Sequence, residues 1–185
     1  MKCRDLSDAI WSEHLKNRLL FIDNEITQET VHAHLNDLFY LAAKGSQPIR
    51  IIMSSPGGEV YAGLALYNTI LDITRRGIPV TIDVMGLAAS MAVEILQAGT
   101  HRQAYKYTRF LLHEISEIKV LSEETATQAE EHVAELVKLN RMLAEIVAGR
   151  AGKKPEEVLA LIKKKDYYMS AEEAKKFGII DSVLS

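Results

Sequence analysis

The sequence predicts an α/β fold in which parallel strands are joined by crossover helices. Three observations carry this expectation. Short apolar runs (RLLFI at 18–22, IRIIM at 49–53, VTIDVM at 80–85) alternate with stretches of helical period. Two of the strand-to-helix steps, at 54–58 and 86–90, are built from small residues. The prolines, at 48, 56, 79 and 155, all fall at segment edges. Alternation of this kind gives a parallel sheet, and such sheets bind ligands where strand ends meet helix starts.

The elements follow in order. Residues 18–22 read as a short buried strand, and Thr27 caps a helix with Val31, Leu35, Leu38, Phe39 and Ala42 on one face, ended by Gly45. Residues 49–53 read as a buried strand, followed by the turn Ser54-Ser55-Pro56-Gly57-Gly58. Helical spacing resumes through Val60, Leu64, Tyr67, Ile70 and Leu71 and closes at Gly77. After strand 80–85, the small-residue turn Gly86-Leu87-Ala88-Ala89-Ser90 leads into a helix up to Gly99, then into two strand-like runs near 102–107 and 109–112. A long helix is expected over 123–148, capped by Ser122, with a stripe of Ala129, Val133, Leu136, Val137, Asn140, Leu143, Ala144 and Val147. Pro155 with two following Glu residues opens a short helix. Ser170 and Glu173 form a capping-box pattern that Gly178 closes.

Composition limits the function classes. The chain has 185 residues, 48% apolar and 25% charged, which suits one globular domain spanning 1–185. Lys plus Arg number 22 against 25 acidic residues, a net charge of -3, which weighs against a nucleic-acid partner. The basic run Lys163-Lys164-Lys165 reads as solvated surface. Cys3 is the single cysteine, so no intrachain disulfide forms, and a reducing, cytoplasmic setting fits. The longest stretch free of charged residues, Val60 to Leu71, is twelve residues, short of the roughly 18 a membrane span needs. The start MKCRDLSD lacks the apolar region of a secretory signal.

Four places carry residues with chemical potential. Ser90 lies at a strand-to-helix step among small neighbours that let a substrate approach. The glycine positions of a G-x-S-x-G elbow, 88 and 92, both hold Ala. Gly57 and Gly58 free the backbone to present an N–H to an anion. His113 ends the strand Phe110-Leu111-Leu112, and Asp166 precedes Tyr167-Tyr168-Met169. Taken singly, these read as a helix cap, a turn, a core histidine and a turn residue. Together, Ser, His and Asp in this order are an admissible catalytic triad, because triads are defined by geometry and not by chain order.

The combination resembles the ClpP family of serine peptidases over about residues 10–185. Ser55-Pro56-Gly57-Gly58 is similar to that family's oxyanion turn, and Met85-Gly86-Leu87-Ala88-Ala89-Ser90-Met91-Ala92 to its nucleophile segment. Leu111-Leu112-His113 is similar to its histidine strand, and the segment from Asp166 to Asp181 to its aspartate region and closing helix. The resemblance implies a ClpP/crotonase-like fold of repeated ββα units with a protruding handle at about 114–148. It implies a serine endopeptidase acting through an acyl-enzyme, with Ser90 as nucleophile, His113 as general base and acid, and Asp166 orienting the imidazole. The N–H groups of Gly58 and Met91 would form the oxyanion hole, and Gly57, Glu59, Val60, Glu114 and Ile115 would contact substrate. It implies no metal and no cofactor in this chain, ATP being used by a partner Clp-type AAA+ unfoldase. It further implies homo-oligomeric assembly as two stacked heptameric rings, with unfolded proteins or peptides as substrates.

The sequence departs from the family pattern in places. Glu114-Ile115 stand where the family usually has Gln-Pro, Lys164 and Lys165 where it often has Asp-Arg, and few residues precede Ile10. Two other readings stay open at this point: a proteolytically silent ring subunit that regulates active partners, and a crotonase-like enzyme acting on acyl-thioesters.

Overall fold

The computed structural model describes residues 3–115, 125–163 and 165–185. Among these, seven strands form one sheet. Strands β1 (Leu19–Ile22), β2 (Ile49–Ser55), β3 (Val80–Ala89), β4 (His101–Tyr105) and β7 (Ser182–Leu184) lie side by side in that order, all parallel. Strand β5 (Arg109–Leu112) runs parallel to the end of β3, and β6 (Tyr167–Ser170) runs antiparallel to β5. The α/β class expected from the alternation is the architecture found.

Helices α1 (Cys3–Lys16), α2 (Gln28–Ala43), α3 (Val60–Arg75), α4 (Met91–Leu96), α5 (Ala126–Ala151), α6 (Pro155–Ile162) and α7 (Ala171–Phe177) complete the described chain. The helix ends follow local chemistry. Thr27 caps α2 and Ser170 caps α7, each through a reciprocal capping box, and Gly178 ends α7 in the left-handed region. Pro155 opens α6 at its first turn, where the missing N–H costs nothing. The core lies along the sheet, with Ile49, Ile51, Ile82, Val84 and Phe110 wholly buried.

The structure corrects several element boundaries. Residues 86–89 are not a turn: β3 continues through Ala89, because Leu87, Ala88 and Ala89 pair with Arg109, Phe110 and Leu111 of β5. Ladder hydrogen bonds there override the weak strand preference of Gly and Ala. A Cβ on Gly86 would come within 2.8 Å of Ser54 Oγ, so a larger residue there requires that side chain to turn aside. The helix expected up to Gly99 stops at Leu96. The strand expected at 102–107 spans His101–Tyr105.

The long helix ends at Ala151, and its cap is Thr125, which exchanges hydrogen bonds with Gln128. The expected cap Ser122 and start Glu123 lie outside the described residues. Helix α1 and strands β6 and β7 are elements that the sequence reading did not assign.

The third strand changes neighbours partway along, and this positions the site. Thr81 to Val84 pair with β4, while Leu87 to Ala89 pair with β5. Buried Thr108 bridges the change by donating from its hydroxyl to the Val84 carbonyl at 2.9 Å.

Candidate active site

Ser90 follows the last residue of β3 and precedes α4, with φ 53° and ψ -132°. A positive φ is uncommon for a residue with a Cβ and persists only where surroundings enforce it. Here they do: the Ser90 N–H donates to the Leu111 carbonyl of β5 at 2.8 Å, and its carbonyl accepts from the Val93 N–H at 2.8 Å. Ser90 is thus held through its backbone on both sides, at the end of an interior strand.

The turn after β2 passes directly behind this serine. Gly57 has φ 87°, and a Cβ added there would lie 2.7 Å from Ser90 Cβ and 2.9 Å from the Met91 nitrogen. Glycine at 57 is therefore a packing requirement. Gly58 is bridged to Ile26, its flanking groups bonding that residue: Ile26 N–H to the Gly57 carbonyl at 2.8 Å and Glu59 N–H to the Ile26 carbonyl at 2.7 Å. Among the described residues, the N–H groups of Gly58 and Met91 donate to no protein acceptor. Two unspent donors flanking a serine can hold an oxyanion.

The parallel pairing of β3 with β5 brings His113 to Ser90. Ala89 pairs with Leu111, so Ser90 comes beside Leu112 and His113 follows one residue on, at the same end of the two strands. Ser90, His113, Gly58 and Met91 line one cavity of about 230 Å³. The His113 Nδ1 lies 2.6 Å from the Glu114 carbonyl oxygen. A carbonyl only accepts, so in the neutral imidazole Nδ1 carries the proton and Nε2 the lone pair. That tautomer is the one a base at Nε2 requires.

Asp166 is placed differently. It is exposed, does not line this cavity and makes no hydrogen bond to His113. It does immediately precede β6, whose Tyr167 pairs with Leu112. Of the residues expected to contact substrate, Val60 and Ile115 line the cavity, and Gly57 underlies Ser90. Glu59 is exposed at the start of α3, and Glu114 faces a separate groove beside α5 and α6.

Two residues of the site escaped the sequence reading. Asn140, counted there as part of an apolar stripe, accepts the Ile115 N–H on its Oδ1 at 2.9 Å and donates from Nδ2 to the Leu136 carbonyl at 3.0 Å. It ties the segment just after His113 to α5. Its polarity within an apolar stripe was the available signal. Glu94, in the otherwise apolar helix MAVEIL, lines the cavity itself. It is only 6% exposed, and its Oε2 has no hydrogen-bond partner. Burial pushes its carboxyl up to about 8, its own backbone N–H pulling the other way. An acidic residue in a buried helix was the signal there.

Comparison with known proteins bears on this arrangement. The Clp protease family model matches residues 4–185. The chain is 33% identical over 171 residues to the ATP-dependent Clp protease proteolytic subunit 3 of Synechococcus sp. (strain CC9605), covering 91% of this chain and 82% of that protein. It is 34% identical over 179 residues to the ATP-dependent Clp protease proteolytic subunit 2 of Chlamydia trachomatis serovar D, covering 95% of this chain and 85% of that protein.

Proposed function

The chain belongs to the Clp protease family, and from that premise we propose that it is a serine endopeptidase subunit that cleaves unfolded proteins or peptides through an acyl-enzyme on Ser90. The observation that carries this reading is one cavity lined by Ser90, His113 and the unspent N–H donors of Gly58 and Met91.

The reaction runs in two halves. Nε2 of His113 takes the proton from the Ser90 hydroxyl as its oxygen attacks the scissile carbonyl. The carbonyl oxygen becomes an oxyanion held by the Gly58 and Met91 N–H groups, one such donor being worth about 3 kcal/mol of barrier. The imidazolium returns the proton to the leaving amine, the C–N bond breaks, and an ester on Ser90 remains. Water, deprotonated by the same imidazole, then hydrolyses the ester and restores the serine. Asp166 orients and stabilises the imidazolium once its carboxylate replaces the Glu114 carbonyl at Nδ1.

The wider setting belongs to the same reading. The active form is a homo-oligomer of two stacked heptameric rings enclosing a chamber. A Clp-type AAA+ unfoldase in the cytoplasm spends the ATP and delivers the chain to be cut, and this subunit needs no cofactor of its own. Among the described residues, no helix is long and apolar enough to cross a membrane.

The test is labelling by a fluorophosphonate followed by peptide mapping. A single adduct on Ser90, lost in Ser90→Ala together with cleavage of fluorogenic peptides, is the expected result. Cleavage that survives Ser90→Ala undiminished overturns the acyl-enzyme.

A further inference from the structure

The serine, histidine and oxyanion donors leave one side chain of the cavity unused. Glu94 lies on α4, the helix that Ser90 precedes, and both residues line the same cavity. Val60, Met91, Ile115 and Leu143 contribute apolar side chains to the wall, beside the polar groups of Ser90 and His113. His113 is the other titratable side chain lining the cavity, and its Nδ1 is occupied by the Glu114 carbonyl.

The Glu94 carboxyl has its own backbone N–H beside it and, at Oε2, no partner. Glu94 is 6% exposed, and its Oε2 has no hydrogen bond from any described group. Buried carboxylates are normally paired, because an unpaired charge in an apolar surrounding costs several kcal/mol. A structural role would show a donor facing that oxygen, and none of the described residues supplies one. The arrangement instead matches a long basic side chain. Its methylene stem packs on Val60, Met91, Ile115 and Leu143, and its cationic head meets the carboxylate.

Resting on the peptidase reading above, we propose that Glu94 makes this cavity a specificity pocket for a basic side chain, so that cleavage follows lysine or arginine. A substrate cation stabilises the ionised carboxylate, so the raised affinity of Glu94 for its proton is overcome only when a basic residue enters. Binding of such a substrate therefore releases a proton. A leucyl side chain fills the apolar part of the pocket and leaves the carboxyl unpaired.

The experiment compares paired fluorogenic peptides that differ only in the residue before the scissile bond: Lys, Arg, Gln or Leu. They are assayed with the assembled wild type, Glu94→Gln and Glu94→Asp. A parallel arm measures the rate at which peptidyl phosphonates with basic or leucyl side chains label Ser90, and circular dichroism with native mass checks each variant's fold. The expected result is wild-type kcat/KM at least tenfold higher for Lys and Arg than for Leu. Glu94→Gln lowers that ratio at least tenfold, Glu94→Asp restores part of it, and the phosphonates follow the same order. A wild type that favours Leu or Gln, or a ratio unmoved in Glu94→Gln, overturns the pocket assignment while Ser90 labelling leaves the peptidase reading standing. If no phosphonate or fluorophosphonate labels Ser90, the peptidase reading falls and takes this inference with it. Should Glu94→Gln fail to fold, the wild-type preference and the Glu94→Asp ratio decide.

Discussion

His113 and Asp166 stand one residue beyond the last pair of the β5–β6 ladder, Leu112 with Tyr167. Extending the same antiparallel register by one step pairs the two. The strands thus carry the base and its proposed orienting acid to the same end of the ladder, although they come from segments far apart in the chain. The Nδ1 contact is currently held by the Glu114 carbonyl at 2.6 Å. In the proposed mechanism the Asp166 carboxylate takes the place of that carbonyl at the open end of the ladder.

Asp166→Ala is therefore expected to lower kcat at least a hundredfold, and by less than Ser90→Ala. The Glu114 carbonyl preserves the tautomer but supplies no full negative charge to stabilise the imidazolium. Triad residues act as a unit, and loss of the acid alone costs less than loss of the nucleophile. Steady-state kinetics on one fluorogenic peptide decide the matter. Equal losses in the two variants would mean that Asp166 does more than orient the ring.

Glu94 also sets a pH dependence of stability. Its carboxyl is raised by burial from 4.5 to about 8, so between those values the folded chain holds a proton that the unfolded chain has lost. Stability then falls as pH rises from 4.5 towards 8, by several kcal/mol at most at roughly 1.4 kcal/mol per unit. Urea midpoints of wild type should be higher at pH 5 than at pH 8, with that difference much reduced in Glu94→Gln. A wild-type midpoint that rises across this window would contradict the assignment.

Asn140→Ala should act on the site without touching substrate chemistry. The Asn140 side chain spans the Ile115 N–H and the Leu136 carbonyl, and so anchors the segment after His113 to α5. Losing it leaves Ile115 without its acceptor, at a cost of about 1–3 kcal/mol for a partly buried donor. The expected outcome is a kcat lowered more than KM is raised, with Ser90 labelling slowed to match. Asn140→Asp keeps the acceptor and should recover part of the rate. A variant with unchanged kinetics and only a lowered Tm would make Asn140 purely structural.

The closing segment is fixed by a different contact. Arg102, 4% exposed, donates to both carboxylate oxygens of Asp181 and to the Gly178 carbonyl. Burial pushes the Asp181 carboxyl up, but the hydrogen bonds and charge of Arg102 outweigh it and hold it below its ordinary value of 3.8. That stabilisation is present above the ordinary value and is lost as pH falls through the lower folded one. Asp181→Asn removes the countercharge of a buried guanidinium that keeps only the neutral acceptors of Gln97 and Gly178, so thermal unfolding should show a loss of about 2–4 kcal/mol at pH 7. A shift within about 0.5 kcal/mol would show that Arg102 finds another partner.

The legible parts of this protein were those where local pattern and tertiary need agree. The apolar runs of β2 and β3 and the stripe of α3 gave strands and helix directly. Motif and position single out Ser90, His113, Gly57 and Gly58, and the structure sets Ser90, His113 and Gly58 around one cavity with Gly57 packed behind Ser90. What the sequence hid was set by partners distant in the chain. Gly86 to Ala89 look like a turn until β5 is laid beside them, and β6 and β7 are three or four residues long and exist as strands through their ladders. Helix α1 carries Leu6, Ile10 and Trp11 largely exposed, so its apolar spacing does not resolve into the buried stripe that marks a core helix. Glu94 and Asn140 show in the sequence only as polar residues on apolar faces, a signal whose meaning is set by the Ile115 N–H and the cavity that the fold brings to them.

The last prediction concerns assembly through α5. This helix has 26 residues, about 39 Å at 1.5 Å per residue. Its C-terminal half packs into the domain, burying Leu139, Ala144, Val147 and Ala148. Its N-terminal half does not: Val133 and Val137, four residues apart on one face, are 59% and 64% exposed. Apolar side chains aligned on an exposed helix face mark a surface that a partner covers. In the proposed double ring, that partner is the same helix of a subunit in the facing ring. Val137→Glu would then set a charge in a desolvated contact, a penalty of several kcal/mol per subunit pair. The fold of each subunit is expected to survive, because Val137 contributes nothing to the core. Native mass measurement should show the double ring of wild type giving way to single rings or smaller species in Val137→Glu, with unchanged circular dichroism. A wild-type chain that stays monomeric at micromolar concentration would refute the assembly itself. A double ring that tolerates the glutamate would move the contact to another face of the subunit.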